Sequence, residues 1–169
     1  MFWVIFLMLY FKAFSTGMWV YLFLHGTYGF AWIFKDVYFP DATFLQKGTF
    51  GSLTLLFGFL SLYWFIPVPL ASGSGIDNPP LIRIILVVSM YLFGLCLMLG
   101  SDYQKTTTLA KKKGLISTGF FKNTRNPNYL GETLIYGSFA ICAGNILSYM
   151  IFFCGSCLLF SINIYLKDK

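Results

Sequence analysis

Apolar residues are gathered into five long blocks, at about 17–34, 50–66, 81–99, 129–143 and 146–166, parted by polar or turn-forming breaks. Blocks of this kind approach the roughly 20 apolar residues that a helix needs to cross a bilayer. The pattern predicts an all-α integral membrane protein forming a single membrane domain over 1–169. Segment 17–99 is expected to give three single spans, 100–128 a polar loop and 129–166 a helical hairpin, roughly five membrane helices in all. Lys35, Asp36, Phe39, Pro40 and Asp41 mark the exit from the first span, and Pro67, Pro69, Gly73, Gly75, Pro79 and Pro80 a turn-rich loop after the second. Gly144 and Asn145 are the only break between the last two blocks, which leaves a tight hairpin and one long kinked helix both open. Segment 1–16 begins with an apolar stretch, Met1 to Phe11, too short to span and lacking a basic flank or a small-residue cleavage site. It is expected to stay on as a short helix at the membrane interface or against a neighbouring protein; the alternative is a span over Met1 to Leu24 with Lys12 buried.

Composition sharpens the class. Of the 169 residues 57% are hydrophobic, 21% aromatic and only 11% charged, whereas soluble domains carry about a quarter charged residues. Mean hydropathy is +0.72, which leaves no wet surface on which the net charge of +6 could meet nucleic acid. The basic residues act instead as topology signals. With the spans threaded in turn and the last pair folded as a hairpin, Lys35, Lys47, Lys105, Lys111, Lys112, Lys113, Lys122, Arg125, Lys167 and Lys169 share one side, and only Lys12 and Arg83 lie opposite. Loop 100–128 is thereby assigned to the cytosolic side, or to the matrix side of a mitochondrial inner membrane. The lysine run at 111–113 is expected to be a phospholipid-facing anchor, and Arg83 to snorkel outward in a structural role. Cys96, Cys142, Cys154 and Cys157 all sit in apolar runs, which argues against a disulfide framework or a metal site; Cys154 and Cys157 share a helix face without polar company.

Candidate chemistry concentrates in GFFKNTRNPNYLGE, residues 119–132. Asn126 suits an N-cap and Pro127 the first helical position, so Arg125 falls just outside a helix start whose N–H groups and dipole favour an anion. Tyr129, Glu132 and Tyr136 then lie at i, i+3 and i+7 on one face, turned into the bundle. Glu132, one turn into an apolar helix, needs a partner, for which Arg125, Lys105 and His25 are the candidates. An Arg–Glu lock at the helix start is the purely structural reading of the same residues. His25, in an otherwise apolar span beside Gly26, Thr27, Tyr28 and Gly29, is either a proton-transfer group or a hydrogen bond across a helix interface.

The segment RNPNYLGE at 125–132 resembles the Arg-His-Pro-x-Tyr-x-Gly-Glu signature of the isoprenylcysteine carboxyl methyltransferase and steroid 5α-reductase C-terminal superfamily, in particular its DUF1295 branch. SDYQK at 101–105, GLISTGFF at 114–121, HGTYGFAWIFKDVYFPD at 25–41 and NIYLKDK at 163–169 are similar to further elements of that branch, in order, so the resemblance covers most of the chain. It implies a membrane fold enclosing a nucleotide-type cofactor, S-adenosylmethionine or NADPH, with a lipid substrate entering from the bilayer. Arg125, Asn126, Pro127, Tyr129, Gly131 and Glu132 would line that pocket, with Asp102, Gln104 and Lys105 contributing from the preceding helix end. Glu132, Tyr129 and His25 are the candidates for catalytic roles.

Two departures accompany the resemblance. The signature's histidine is Asn126, an amide that cannot exchange a proton near neutral pH. The charged and aromatic tail that such enzymes carry after the last helix has no counterpart before Lys169. The expectation is a reduced, non-catalytic small membrane subunit of a larger assembly, in contact with lipids and other membrane subunits, in the endoplasmic reticulum or the mitochondrial inner membrane. The alternative is an active methyltransferase or reductase acting on an isoprenoid, sterol or other lipid.

Overall fold

The computed structural model describes residues 1–40 and 50–167, with side chains other than those at 52, 53, 55, 56, 59, 60, 62 and 157–167. Asp41, Lys47 and Lys169, and the side chains of Cys157 and Lys167, lie outside this description. Among the described residues all regular structure is helical: α1 (Phe2–Phe11), α2 (Thr16–Tyr38), α3 (Phe50–Tyr63), α4 (Val68–Ala71), α5 (Leu81–Lys111), a 3-10 turn (Gly119–Phe121), α6 (Pro127–Ala143) and α7 (Ile146–Lys167). One of them, α5, is long and apolar enough to cross a membrane by length and composition, with a mean hydropathy of 2.4 over its apolar window. Length and composition thus support one of the five expected spans. α3 has only 14 residues; α2 has 23, but His25, Gly26, Thr27 and Tyr28 dilute its middle.

Helix ends explain two boundary differences. α2 runs on through Lys35 and Asp36, since no breaker occurs before Pro40. For the same reason α5 continues to Lys111, turning residues 100–111 of the predicted loop into helix; Ser101 to Lys111 contains neither glycine nor proline, and the chain turns off only before Gly114. The loop at 67–80 holds the single turn of α4.

Three helices set the frame. Thr27 Oγ1 lies 2.8 Å from the Tyr91 hydroxyl and Lys35 Nζ 2.6 Å from Asp102 Oδ2, so α2 and α5 run side by side in the same direction. α6 runs back against both. Arg83 Nε donates to Ile141 O at 3.0 Å near one end of the α5–α6 pair. Further along, a Cβ built on Gly94 would stand 2.7 Å from Gly131 O, and one on Gly131 would stand 2.6 Å from Gly94 O. Only glycine fits there, and the mutual fit lets the two backbones touch. Between α2 and α6, Cys142 Sγ reaches Gly17 O at 3.7 Å and the Tyr28 and Tyr136 hydroxyls meet at 2.9 Å.

The last pair of helices is a hairpin. Gly144, at φ 64° in the left-handed region, ends α6 and donates its N–H to Ala140 O. Asn145 Oδ1 accepts from Leu147 N–H at 2.9 Å to start α7, while its Nδ2 donates to Ser74 O. The kinked-helix alternative falls at these caps. Arg83 does have a structural role, but it does not snorkel outward: it turns inward across the hairpin, donating to Ile141 O and to the Tyr149 hydroxyl. The last carbonyls of α6 lack helical partners and carry the negative dipole end, which attracts a guanidinium.

α1 is a separate short helix. The chain reverses at Lys12, which takes a left-handed conformation at the helix end, so a continuous span over Met1 to Leu24 is excluded. One face of α1 packs on its own chain, with Val4, Leu7 and Met8 buried and contacts to α2 and α4, while Phe2, Phe6, Leu9 and Tyr10 are exposed. At the centre stands Phe139, fully buried, with Tyr21, His25, Tyr28, Tyr63 and Tyr91 around it at ring-centroid distances of 5.4 to 6.1 Å. The bundle thus has two ends: Lys12, Arg83 and the Gly144–Asn145 turn lie at one, and Lys35, Asp102 and the connection from α5 to α6 at the other.

Candidate functional site

The polar corner forms at this second end, from the last turns of α2, the extended part of α5, the 112–126 connection and the start of α6. Its most buried feature is the Lys35–Asp102 ion pair. The side chains are only 7% and 6% exposed, and Lys35 Nζ also stands 4.5 Å from the centroid of the Trp32 ring. Two charges withdrawn from water are held at such a place only when each has its partner. Asp102, a candidate cofactor ligand by sequence, is thus already engaged within the chain.

Gln104 is engaged as well. Its Nε2 donates to Thr118 O at 2.8 Å and its Oε1 accepts from Phe120 N–H at 2.9 Å. The amide mimics a peptide edge and clamps the 3-10 turn onto α5. Gly119 sits under it at φ 58°, where a Cβ would come within 2.6 Å of Gln104 Oε1, and Phe120 covers Gly100 in the same way. Replacing Gln104 with alanine removes both bonds. Tryptic cleavage after Lys112, Lys113 or Lys122 is expected to accelerate several-fold, with helical content by circular dichroism unchanged; an unchanged cleavage rate would mean that the turn is held by other contacts.

α6 starts where the sequence placed it. Pro127 occupies the first helical position and Asn126 the N-cap, but the Asn126 side chain makes no capping bond. The residue stands at φ −130°, ψ 68°, and it is its carbonyl that accepts from Leu130 N–H at 3.3 Å. Arg125 is exposed just ahead of the helix, Pro127 is buried, Tyr129 is half-buried, and Glu132 is 8% exposed. Lys105, Arg125, Tyr129 and Glu132 each take part in interactions of their own. Glu132 faces inward, within electrostatic reach of the Tyr28 and Tyr136 hydroxyls, which bond to one another. Gly131 points the other way, onto α5, where it serves the helix contact with Gly94.

His25 is drawn toward the bundle interior. Its ring stacks with Tyr21 and Tyr63 at 6.0 and 5.6 Å, and its Nδ1 lies 3.2 Å from the Met1 amino nitrogen, a contact between α1 and α2. The structure thus brings Asp102, Gln104 and Glu132 to one end of the bundle and sets His25 in the aromatic centre. Sequence reading missed Lys35 as a member of the corner. The available signal was its position one helical turn after Trp32, on the same face of α2. It missed Tyr28 and Tyr63 because a tyrosine in an apolar block reads as core.

The arrangement offers an inward carboxylate with two phenols and, outside, an exposed guanidinium at a helix start that suits an anion. Of the nine sequence-derived ligand candidates, Asp102, Gln104 and Gly131 make the intrachain contacts described above, and Lys105, Arg125, Tyr129 and Glu132 are engaged as well. Beside the corner, an open apolar groove of about 490 Å³ runs between α2 and α5, lined by Phe34, Tyr38, Phe39, Leu99, Gly100 and Tyr103.

No curated protein and no solved structure matches the chain. A family model described as "Protein of unknown function (DUF1295)" matches residues 42–167, well over half of the sequence, and the chain belongs to that family.

Proposed function

We propose that the chain is a multi-span integral membrane protein with a fold like that of lipid methyltransferases and steroid reductases, working as a small non-catalytic subunit of a larger membrane assembly. The observation that carries the membrane part is the outer surface of α5. Its apolar window has a mean hydropathy of 2.4, yet only 22% of it is buried inside the chain, whereas a soluble core helix of that composition would be covered. Phe23, Phe30, Phe93 and Phe153 extend the same apolar surface over α2, α5 and α7. The two ends differ in charge as positive-inside orientation requires, with Lys105, Lys111, Lys112, Lys113, Lys122 and Arg125 in the segment at one end and Lys12 and Arg83 at the other. This favours a cytosolic or matrix location for the corner, in the endoplasmic reticulum or the mitochondrial inner membrane.

The subunit part rests on the engaged corner. A cofactor site needs donors and acceptors that turn to the ligand, and here Asp102 holds Lys35 while Gln104 holds the 118–120 backbone. The aromatic outer surface fits partner helices or lipid tails. Solubilised in mild detergent, the chain is expected to migrate with other membrane proteins at fixed stoichiometry, and the purified chain to bind neither S-adenosylmethionine nor NADPH in the submillimolar range.

The second reading, a lipid-modifying methyltransferase or reductase, is favoured by one feature, the inward Glu132 beside the Tyr28–Tyr136 pair. A buried carboxylate in an apolar helix is a frequent mark of function. Saturable binding of either cofactor, lost on Arg125→Ala, would establish this reading and overturn the first.

A further inference from the structure

The aromatic centre holds two polar atoms with nothing to bond. The Tyr21 and Tyr63 hydroxyls are both buried, and among the described residues neither has a hydrogen-bond partner. Tyr21 is 0% exposed as a whole residue. Neighbouring phenols are provided for: Tyr28 and Tyr136 bond to one another and Tyr91 bonds to Thr27. A phenol carries one donor and one accepting oxygen, and buried hydroxyls in folded proteins are almost always satisfied.

The two hydroxyls belong to one place. Both rings stack against His25, at 6.0 Å for Tyr21 and 5.6 Å for Tyr63. Both also abut Phe139, at 5.4 and 5.6 Å. The two rings thus share neighbours on two sides. What suits such a pair is a small guest that both gives and takes hydrogen bonds.

We propose that the Tyr21 and Tyr63 hydroxyls hold an internal water molecule beside His25, a site that does not depend on the functional reading above. Water has two donors and two acceptors, and buried waters typically make two to four bonds to polar groups that lack protein partners. The surrounding polar groups, the His25 ring and the Tyr28–Tyr136 pair, offer further contacts. A shared water also explains why two phenols that lack partners occur together.

The test is a double-variant cycle on the full chain in detergent. Tyr21→Phe and Tyr63→Phe each take one anchor from the water and leave the other phenol short. Each is expected to lower the thermal midpoint by about 2–6 °C, and the double variant to lose clearly less than the sum. A single variant that is unchanged or more stable means a dry hydroxyl and overturns the proposal, as does strict additivity. X-ray radiolytic footprinting, which labels side chains next to bound water, supplies an independent readout. Tyr21 and Tyr63 are expected to label despite their burial, and Phe139 to lose its labelling in the double variant. Background labelling throughout, or labelling that depends on retained lipid, would place a lipid's polar group or nothing at the site and overturn the water.

Discussion

Asp102→Ala is expected to destabilise the fold by about 3–5 kcal/mol, because it leaves a buried ammonium without its counter-ion. For a chain of this size that corresponds to a fall in the thermal midpoint of roughly 6–20 °C. Lys35 Nζ sits 2.6 Å from Asp102 Oδ2 with both side chains 7% or less exposed, so water cannot replace the carboxylate without the end of α2 moving. The Trp32 ring, 4.5 Å away, offsets only part of the loss, since a cation on an aromatic face contributes about 0.5–2 kcal/mol. Lys35→Met combined with Asp102→Leu is expected to recover most of the stability, because removing both charges also removes the cost of burying them. Should Asp102→Ala unfold at the wild-type temperature, Lys35 reaches solvent and the pair does not tie α2 to α5.

The second large effect is expected at the α5–α6 crossing. A Cβ on Gly131 would stand 2.6 Å from Gly94 O and 2.7 Å from Met98 N. Both are backbone atoms, which cannot rotate away as the tip of a side chain can. Gly131→Ala must therefore push the helices apart, at a cost of about 1–3 kcal/mol or more, and Gly131→Leu is expected to yield little folded protein. Gly29→Ala is the control. A Cβ there meets nothing within 4 Å, so the substitution is expected to stabilise α2 by roughly 0.5–1 kcal/mol through helix propensity alone. Thermal unfolding of the two alanine variants should move in opposite directions, and equal shifts would remove the special role given to the crossing.

The Gly131 prediction also bears on the corner. The family resemblance gathered Arg125, Asn126, Pro127, Tyr129, Gly131 and Glu132 into one pocket lining. On the helix, neighbours one residue apart point about 100° from each other. Gly131 and Glu132 consequently face different ways, Gly131 onto the backbone of α5 and Glu132 into the bundle interior. The resemblance also placed Gln104 at that pocket, and nothing local says that the turn at 118–120 takes both of its hydrogen-bonding atoms.

Local signals did fix much of the corner. Pro127 at the first helical position and the inward face carrying Glu132 and Tyr136 follow from spacing and from the stereochemistry of proline. The end of α5 was misplaced because polarity was taken for a loop signal. Helices stop at residues that cannot continue them, and Ser101 to Lys111 contains none.

The sequence by itself determined the helical class, the order of the main elements, the break at Gly144 and Asn145 and the gathering of basic residues in the 105–125 segment, because each depends on residues close together in the chain. Only the tertiary structure decided that Lys35 pairs with Asp102, that Gly94 receives Gly131, that Arg83 turns inward to the end of α6, and that the Tyr21 and Tyr63 rings both stack on His25. Those pairings join positions far apart along the chain. What selects them is the mutual fit of helix surfaces and the need to give each buried polar group a partner, and neither requirement leaves a mark in any local stretch of sequence.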